Sequence, residues 1–160
     1  MKTIRVAFYK HSKSIFGKLI RFKQWWVYEN RYAQYSHTEL VFEDWVSFSS
    51  SEQDKWVRFK DIKFKKKNWD FIDIEVSNAN YEKVYTFCSN QLGNKYNWIW
   101  IVFAQIFNLN WKWQWDWFCS EICSRALQEI GMLCPYSSLF IEPAELAEIL
   151  DKQGYNLTSS

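Results

Sequence analysis

The stretch SHTELVFEDWVSFS, residues 36–49, decides the fold. Its first half, Ser36 to Phe42, places apolar residues at alternate positions, as expected of a strand with one buried face. Glu43 and Asp44 form a tight turn, and the segment from Trp45 to Ser49 returns as the partner strand. The stretch therefore predicts an antiparallel β-hairpin.

The rest of the chain supplies further strands first and helices afterwards. Segments rich in β-formers predict strands over Ile4–Tyr9, Trp56–Ile62 and Phe71–Val76. Apolar residues at helical spacing predict helices over Ser14–Trp26, Asn78–Leu92, Tyr96–Phe107, Phe118–Ile130 and Pro143–Leu150. Gly93 and Gly131 are the expected ends of the second and fourth of these helices. Trp alternates with polar residues over Trp111–Phe118, which predicts an extended or irregular segment. Because most strands precede the helices, we expect an α+β domain with an antiparallel sheet packed against helices.

Length and composition predict one domain over residues 1–160. Hydrophobic residues make up 48% and charged residues 24%, which is typical of a globular chain. Cys119, Cys123 and Cys134 are close in sequence, but no histidine or further cysteine pair completes a four-ligand set. We therefore expect neither a metal nor a cofactor.

The N-terminal segment and the most apolar run of the sequence indicate where in the cell the protein is expected. MKTIRVAFYK, residues 1–10, lacks the apolar core of a secretory signal. The run WIWIVFAQIF, residues 98–107, is about half the length that a membrane span needs. Both observations predict a cytoplasmic protein, in which a disulfide framework is not expected.

Cys119 stands near the predicted start of a helix. Asp116 is the expected N-cap, which would place the sulfur in the first turn beside backbone amides that have no partner within the helix. The positive end of the helix dipole stabilises a thiolate there, whereas an ordinary thiol with a pKa of about 8.5 is mostly protonated at neutral pH. A small buried residue is the alternative for any single cysteine, and it suits Cys123, one turn later.

His37 is the histidine that suits a base. It begins the first strand of the hairpin, from which its ring would reach a cleft, while His11 lies in a segment rich in Lys and Ser. Cysteine catalysis needs a nucleophile at a helix start and a base that is far away in sequence but close in space. Cys119 and His37 fit this pattern together.

Four short motifs resemble a known family. They are SHTELVF (36–42), KYNW (95–98), WFCSEICSRAL (117–127) and IEPAEL (141–146). They are similar to motifs of the permuted papain-like amidases, which are relatives of the NlpC-type cell-wall peptidases and of the lecithin:retinol acyltransferase group, and the chain looks like a small phage- or bacterium-encoded version. The resemblance covers residues 3–148. It implies a circularly permuted papain-like (NlpC-like) fold with Cys119 as nucleophile and His37 as general base.

A third polar residue should hold the imidazole tautomer and stabilise its cation. The resemblance places this residue near the return strand of the hairpin, where the candidates are Ser49, Ser50 and Glu52. Glu39 is an alternative, because it lies two residues after His37 and such side chains share one face of a strand. A carboxylate supports an imidazolium better than a hydroxyl does, so we favour Glu52, then Glu39.

The expected activity is that of a cysteine hydrolase or acyltransferase. A thiolate would attack the carbonyl carbon of an amide or ester, and the acyl-enzyme would pass to water or to another acceptor. Compatible substrates are a cell-wall peptide, an isopeptide and a lipid-linked acyl group.

Two alternatives remain open. One is a papain-like module that binds without turnover. The other uses the basic-aromatic run RFKDIKFKKK, residues 58–67, to bind a phosphate backbone or a membrane surface. A net charge of +2 gives no general argument for nucleic acid, and we expect none as a partner. A strand edge protected by lysines is the simpler explanation of the run.

Overall fold

A computed structural model describes residues 1–11, 31–51, 53–95, 118–133 and 141–159. Within these ranges lie six strands, three α-helices and a 3-10 turn at Lys66–Asn68. The strands are β1 (Lys2–Tyr9), β2 (His37–Val41), β3 (Val46–Ser50), β4 (Val57–Asp61), β5 (Trp69–Val76) and β6 (Leu157–Ser159). The helices are α1 (Asn78–Asn90), α2 (Cys119–Gln128) and α3 (Pro143–Lys152). No helix in the described ranges is long and apolar enough to cross a membrane.

The six strands form one sheet in the order β4-β3-β2-β1-β5-β6, and every neighbouring pair is antiparallel. The predicted hairpin is confirmed as β2 and β3, and β2 lies inside the sheet between β3 and β1. The α+β class and the antiparallel sheet are therefore confirmed. Strand β6 was not predicted. The predicted helices over 14–26 and 96–107, and all but the last residue of the predicted extended segment, lie outside the described residues.

The main core lies between the sheet and the helices. Helix α2 contacts β2 and β3, while α1 packs against β1 and α2. Alternate residues of the strands supply the sheet side of this core, as the hairpin pattern predicts. Its fully buried members include Val6, Phe8, Leu40, Phe48, Ile122, Cys123, Ala126 and Leu127. Cys123 therefore faces the core, as we expected.

Local signals explain where the helices begin and end. Ser77 caps α1, its hydroxyl accepting a hydrogen bond from the Asn80 amide at 3.2 Å. Gly93 and Gly131 follow α1 and α2 with φ of 80° and 78°, a backbone conformation that glycine adopts without strain. The N-cap prediction for α2 was wrong, because the cap is Phe118 rather than Asp116. Cys119 is consequently the first residue of the helix.

Candidate active site

Strand β2 presents His37 and Glu39 side by side. The two residues are two positions apart, so their side chains leave the strand on the same face. His37 Nε2 lies 2.7 Å from Glu39 Oε1. An ionised carboxylate can only accept hydrogen bonds, so Nε2 carries the proton and donates it. The other ring nitrogen, Nδ1, is therefore the one that can exchange a proton with the thiol.

Cys119 meets His37 from the start of α2. The helix packs against β2, which brings its first residue next to the first residue of the strand. The imidazole and the sulfur are joined by a hydrogen bond and by charge attraction. Hydrogen bonds from the backbone of Thr38 and Ser120 also reach the sulfur. Two residues far apart in sequence thus form one polar pair.

The surroundings favour a thiolate–imidazolium form of this pair. Burial alone would lower the pKa of His37, but Cys119 and Glu39 raise it to about 10. Burial would likewise raise the pKa of the Cys119 thiol, but the imidazolium and the backbone hydrogen bonds bring that pKa below its ordinary value. The His37 side chain is 24% exposed and Cys119 is 8% exposed, so the pair is sheltered but still reachable from solvent.

Glu39 is a buried carboxylate that contacts both His37 and Arg58. It is only 1% exposed. Arg58 grips it with both terminal nitrogens, Nη1 lying 2.8 Å from Oε2 and Nη2 lying 2.7 Å from Oε1. Burial would raise the pKa of Glu39, but the hydrogen bonds from Arg58 and His37 hold it below its usual value. The carboxylate next to His37 therefore stays ionised.

Arg58 is a site residue that the sequence did not predict. We assigned it to a basic run on a solvated strand edge, and β4 is indeed an edge strand, with Lys60 exposed on it and Lys63 and Lys65–Lys67 exposed beyond its end. The Arg58 side chain, however, is only 11% exposed and contacts Glu39. No local pattern in the sequence marks this residue, because its place depends on the cross-strand register that sets it opposite Ser49 of β3.

The other candidates for the third position lie elsewhere. Ser49 donates its hydroxyl hydrogen to the Thr38 carbonyl oxygen at 2.7 Å. The Ser50 hydroxyl is buried without a hydrogen-bond partner in the part of the chain that the structure describes. Glu52, which we favoured, lies outside the described residues. Glu39, the second choice, is the carboxylate found in contact with His37.

The remaining described cysteines differ chemically from Cys119. Cys88 and Cys123 are both fully buried, and burial raises the pKa of each thiol. Negative charge on Cys119 and Glu39 raises the pKa of Cys123 further. Only Cys119 among these three has a lowered pKa, and this makes it the candidate nucleophile. Cys134 lies outside the described residues.

Aromatic rings flank the pair on the neighbouring strands. Tyr9 of β1 pairs with both His37 and Trp69, so the three residues form a row across β2, β1 and β5. The rings of His37 and Trp69 are 6.4 Å apart, and those of Tyr9 and Trp69 are 4.9 Å apart.

In the described ranges, no group of three or more His, Cys, Asp or Glu side chains converges to hold a metal ion.

No protein-family model matches the chain, and no curated protein matches it significantly. Function is therefore inferred from the residues and their geometry.

Proposed function

We propose that the protein is a cysteine hydrolase or acyltransferase that acts on amide or ester carbonyls. The observation that carries the proposal is the contact of Cys119, at the first position of α2, with the imidazole of His37, whose far nitrogen is held by Glu39. A nucleophile, a base and a group that orients the base are the three parts that covalent acyl transfer needs.

The proposed reaction begins with attack of the Cys119 thiolate on the substrate carbonyl carbon. The new C–S bond pushes the carbonyl electron pair onto oxygen and forms a tetrahedral oxyanion. The backbone amide of Cys119 has no partner within the helix, because it belongs to the first turn, and it would donate to this oxyanion. His37 then protonates the leaving amine or alcohol, the C–N or C–O bond breaks, and a thioester remains on Cys119.

The second half of the reaction regenerates the enzyme. Water or another acceptor loses its proton to His37 as it attacks the thioester. Collapse of the second tetrahedral intermediate releases the acyl product and returns the thiolate. Throughout both halves, Glu39 holds the Nε2–H tautomer and offsets the charge of the imidazolium.

We propose a circularly permuted papain-like fold for this machinery. Its support is the order of the parts, since His37 on a central strand precedes Cys119 at a helix start, and the helix lies against that strand. An antiparallel sheet that presents the base to the first turn of a packed helix is what the motif resemblance leads us to expect.

Trapping the acyl-enzyme tests the proposal. The purified full chain is incubated at pH 7 with p-nitrophenyl acetate and with an acyl thioester, and the adduct is mapped by mass spectrometry. We expect the acyl group on Cys119, with turnover lost in Cys119→Ala and His37→Ala. Cys123→Ala is the matched control, because it removes a thiol one helical turn away that faces the core.

Two outcomes separate the alternatives. Turnover that persists unchanged in Cys119→Ala, or an adduct on another residue, contradicts the proposal. Rapid alkylation of Cys119 by iodoacetamide without any acyl adduct favours a binding module that has retained the thiolate but not the turnover.

A further inference from the structure

Three residues on adjacent strands form a polar row behind His37. The register that pairs Leu40 with Phe48, continued by one residue, sets Ser49 of β3 beside Glu39 of β2. The register between β3 and β4 pairs Ser49 with Arg58. Residues opposite one another in an antiparallel sheet point to the same face. Glu39, Ser49 and Arg58 therefore share a face, with the smallest side chain in the middle.

The short side chain of Ser49 allows the outer two residues to meet. Glu39 and Arg58 are separated by a whole strand, a backbone distance of about 9.5 Å. Their side chains nevertheless form two hydrogen bonds of 2.7 and 2.8 Å. Ser49 is fully buried and donates its hydroxyl hydrogen to the Thr38 carbonyl oxygen. The guanidinium thus extends over β3 to reach Glu39.

The two contacts leave the Glu39 carboxylate little freedom. Among the described residues, Oε2 accepts from Arg58, while Oε1 accepts from both Arg58 and His37. A bidentate guanidinium fixes the plane of a carboxylate, which a single donor does not. An ionised carboxylate that is 1% exposed also needs compensating positive charge to remain ionised. Arg58 supplies both the orientation and the charge.

The third nitrogen of the Arg58 guanidinium, Nε, donates a hydrogen bond to Asp54. Its Nε lies 2.8 Å from Asp54 Oδ2, and Lys60 Nζ lies 2.8 Å from Asp54 Oδ1. Asp54 is therefore placed to orient the guanidinium, and Lys60 to balance the charge of Asp54. Interactions run without a break from Cys119 through His37, Glu39 and Arg58 to Asp54.

We propose that Arg58 is a positioning residue for the Cys119–His37 pair, acting through Glu39. The proposal rests on the proposed function for the role of that pair. Loss of Arg58 removes the charge that keeps the buried Glu39 carboxylate ionised and the grip that fixes its plane, so that Glu39 takes up a proton or turns away from His37. Either change weakens the stabilisation of the imidazolium and reduces the population of the thiolate–imidazolium pair.

The test measures the thiolate directly and needs no substrate. The rate of Cys119 alkylation by iodoacetamide is followed by peptide mass spectrometry from pH 4 to 9 in wild type, Arg58→Met, Arg58→Lys and Lys63→Met. Lys63→Met is the matched control, because it removes one positive charge from an exposed position two residues beyond the end of β4. Cooperative urea unfolding confirms that each variant is folded.

We expect Arg58→Met to slow alkylation at pH 6 by about tenfold or more and to move the acid midpoint of the profile upward. Arg58→Lys should recover part of the rate, since it keeps the charge but loses the bidentate grip. Lys63→Met should stay within about twofold of the wild type. A purely structural Arg58 would change stability and leave the pH profile in place.

A folded Arg58→Met whose profile superimposes on that of the wild type overturns the inference. If Arg58→Met does not unfold cooperatively, Arg58→Lys carries the test, and a wild-type rate at pH 6 in that variant overturns it. The proposed function fails separately, by a different result: a wild-type Cys119 that alkylates at pH 6 no faster than Cys123.

Discussion

His37 Nε2 and Glu39 Oε1 lie 2.7 Å apart on a single strand, with one residue between them in sequence. The base and the group that orients it therefore move as one unit, and no loop intervenes between them. The sulfur of Cys119 comes from a separate element, α2, so its distance from His37 depends on how that helix packs against β2. Substitution of Glu39 by a residue of the same shape should consequently alter the charge state of the pair without displacing the nucleophile.

Glu39→Gln tests the carboxylate itself. The amide keeps the shape and still accepts from His37, but it lacks the negative charge that raises the pKa of His37. The substitution replaces a charge-assisted hydrogen bond to His37 with a neutral one, which weakens the stabilisation of the imidazolium by about 1 to 2 kcal/mol. Alkylation of Cys119 at neutral pH should therefore fall by about tenfold. Glu75→Gln, at an exposed position on β5, is the control. Equal rates in the two variants would contradict the assigned role.

The pKa of His37 is directly measurable by NMR. In a His11→Gln background His37 is the only histidine, and its ring should titrate at about 10 in the presence of Cys119. Cys119→Ser removes the thiolate that raises this pKa, so the midpoint should fall. An unchanged midpoint would show that sulfur and ring do not interact.

The same raised pKa links stability to pH. The pKa of His37 is about 10 when folded and about 6.5 when unfolded, so its proton stabilises the fold fully below about pH 6.5 and this contribution is lost as pH rises through about 10. Above about pH 8.5 the cysteine of the unfolded chain also ionises, so the lowered pKa of Cys119 in the fold no longer adds stability as pH rises. Wild type should therefore lose more stability than Cys119→Ser between pH 8.5 and 10, by up to about 1.4 kcal/mol per pH unit in urea unfolding. Parallel curves would contradict the linkage.

A second buried carboxylate should matter for stability alone. Asp70 is 1% exposed and accepts hydrogen bonds from Lys10 Nζ at 2.7 Å and from the Tyr35 hydroxyl at 2.8 Å. Asp70→Asn leaves Lys10 without its counter-charge and should lower the free energy of unfolding by about 3 kcal/mol. Asp73→Asn, on the same strand but in a largely exposed pair with Arg5, should cost less than about 1 kcal/mol. Denaturant unfolding of both variants gives the comparison, and equal losses would contradict it.

The sequence predicts the elements of the site better than the contacts between them. Alternating apolar residues locate β2, and the helical spacing after Phe118 locates α2, because both signals are local. The choice between Glu52 and Glu39 depends on which side chain reaches the ring, and composition does not determine that distance. Arg58 is harder still, since its link to Glu39 arises from the registers of two strand pairs. Strand β6 has only three residues, which is too short for a periodic pattern in the sequence, and its partner β5 is far away along the chain.

Ser49 provides the sharpest test of the polar row formed by Glu39, Ser49 and Arg58, because the proposed role of Ser49 depends on the small size of its side chain. Ser49→Ala keeps the space through which Arg58 reaches Glu39 and loses one hydrogen bond to Thr38, so it should cost about 1 kcal/mol of stability and leave alkylation of Cys119 close to wild type. Ser49→Val replaces the hydroxyl with two methyl groups between Glu39 and Arg58, and it should slow alkylation at pH 6 by about as much as Arg58→Met does.

Ser47→Val is the matched control for this substitution. Ser47 is equally buried, lies two residues earlier on β3 and donates to the Lys60 carbonyl, so the same change there costs comparable packing strain without touching the row. If Ser49→Val and Ser47→Val alkylate at the same rate, the space over β3 is not what connects Arg58 to Glu39. If only Ser49→Val is slow, a residue that contacts neither the thiol nor the ring governs the reactivity of Cys119 through the width of its own side chain.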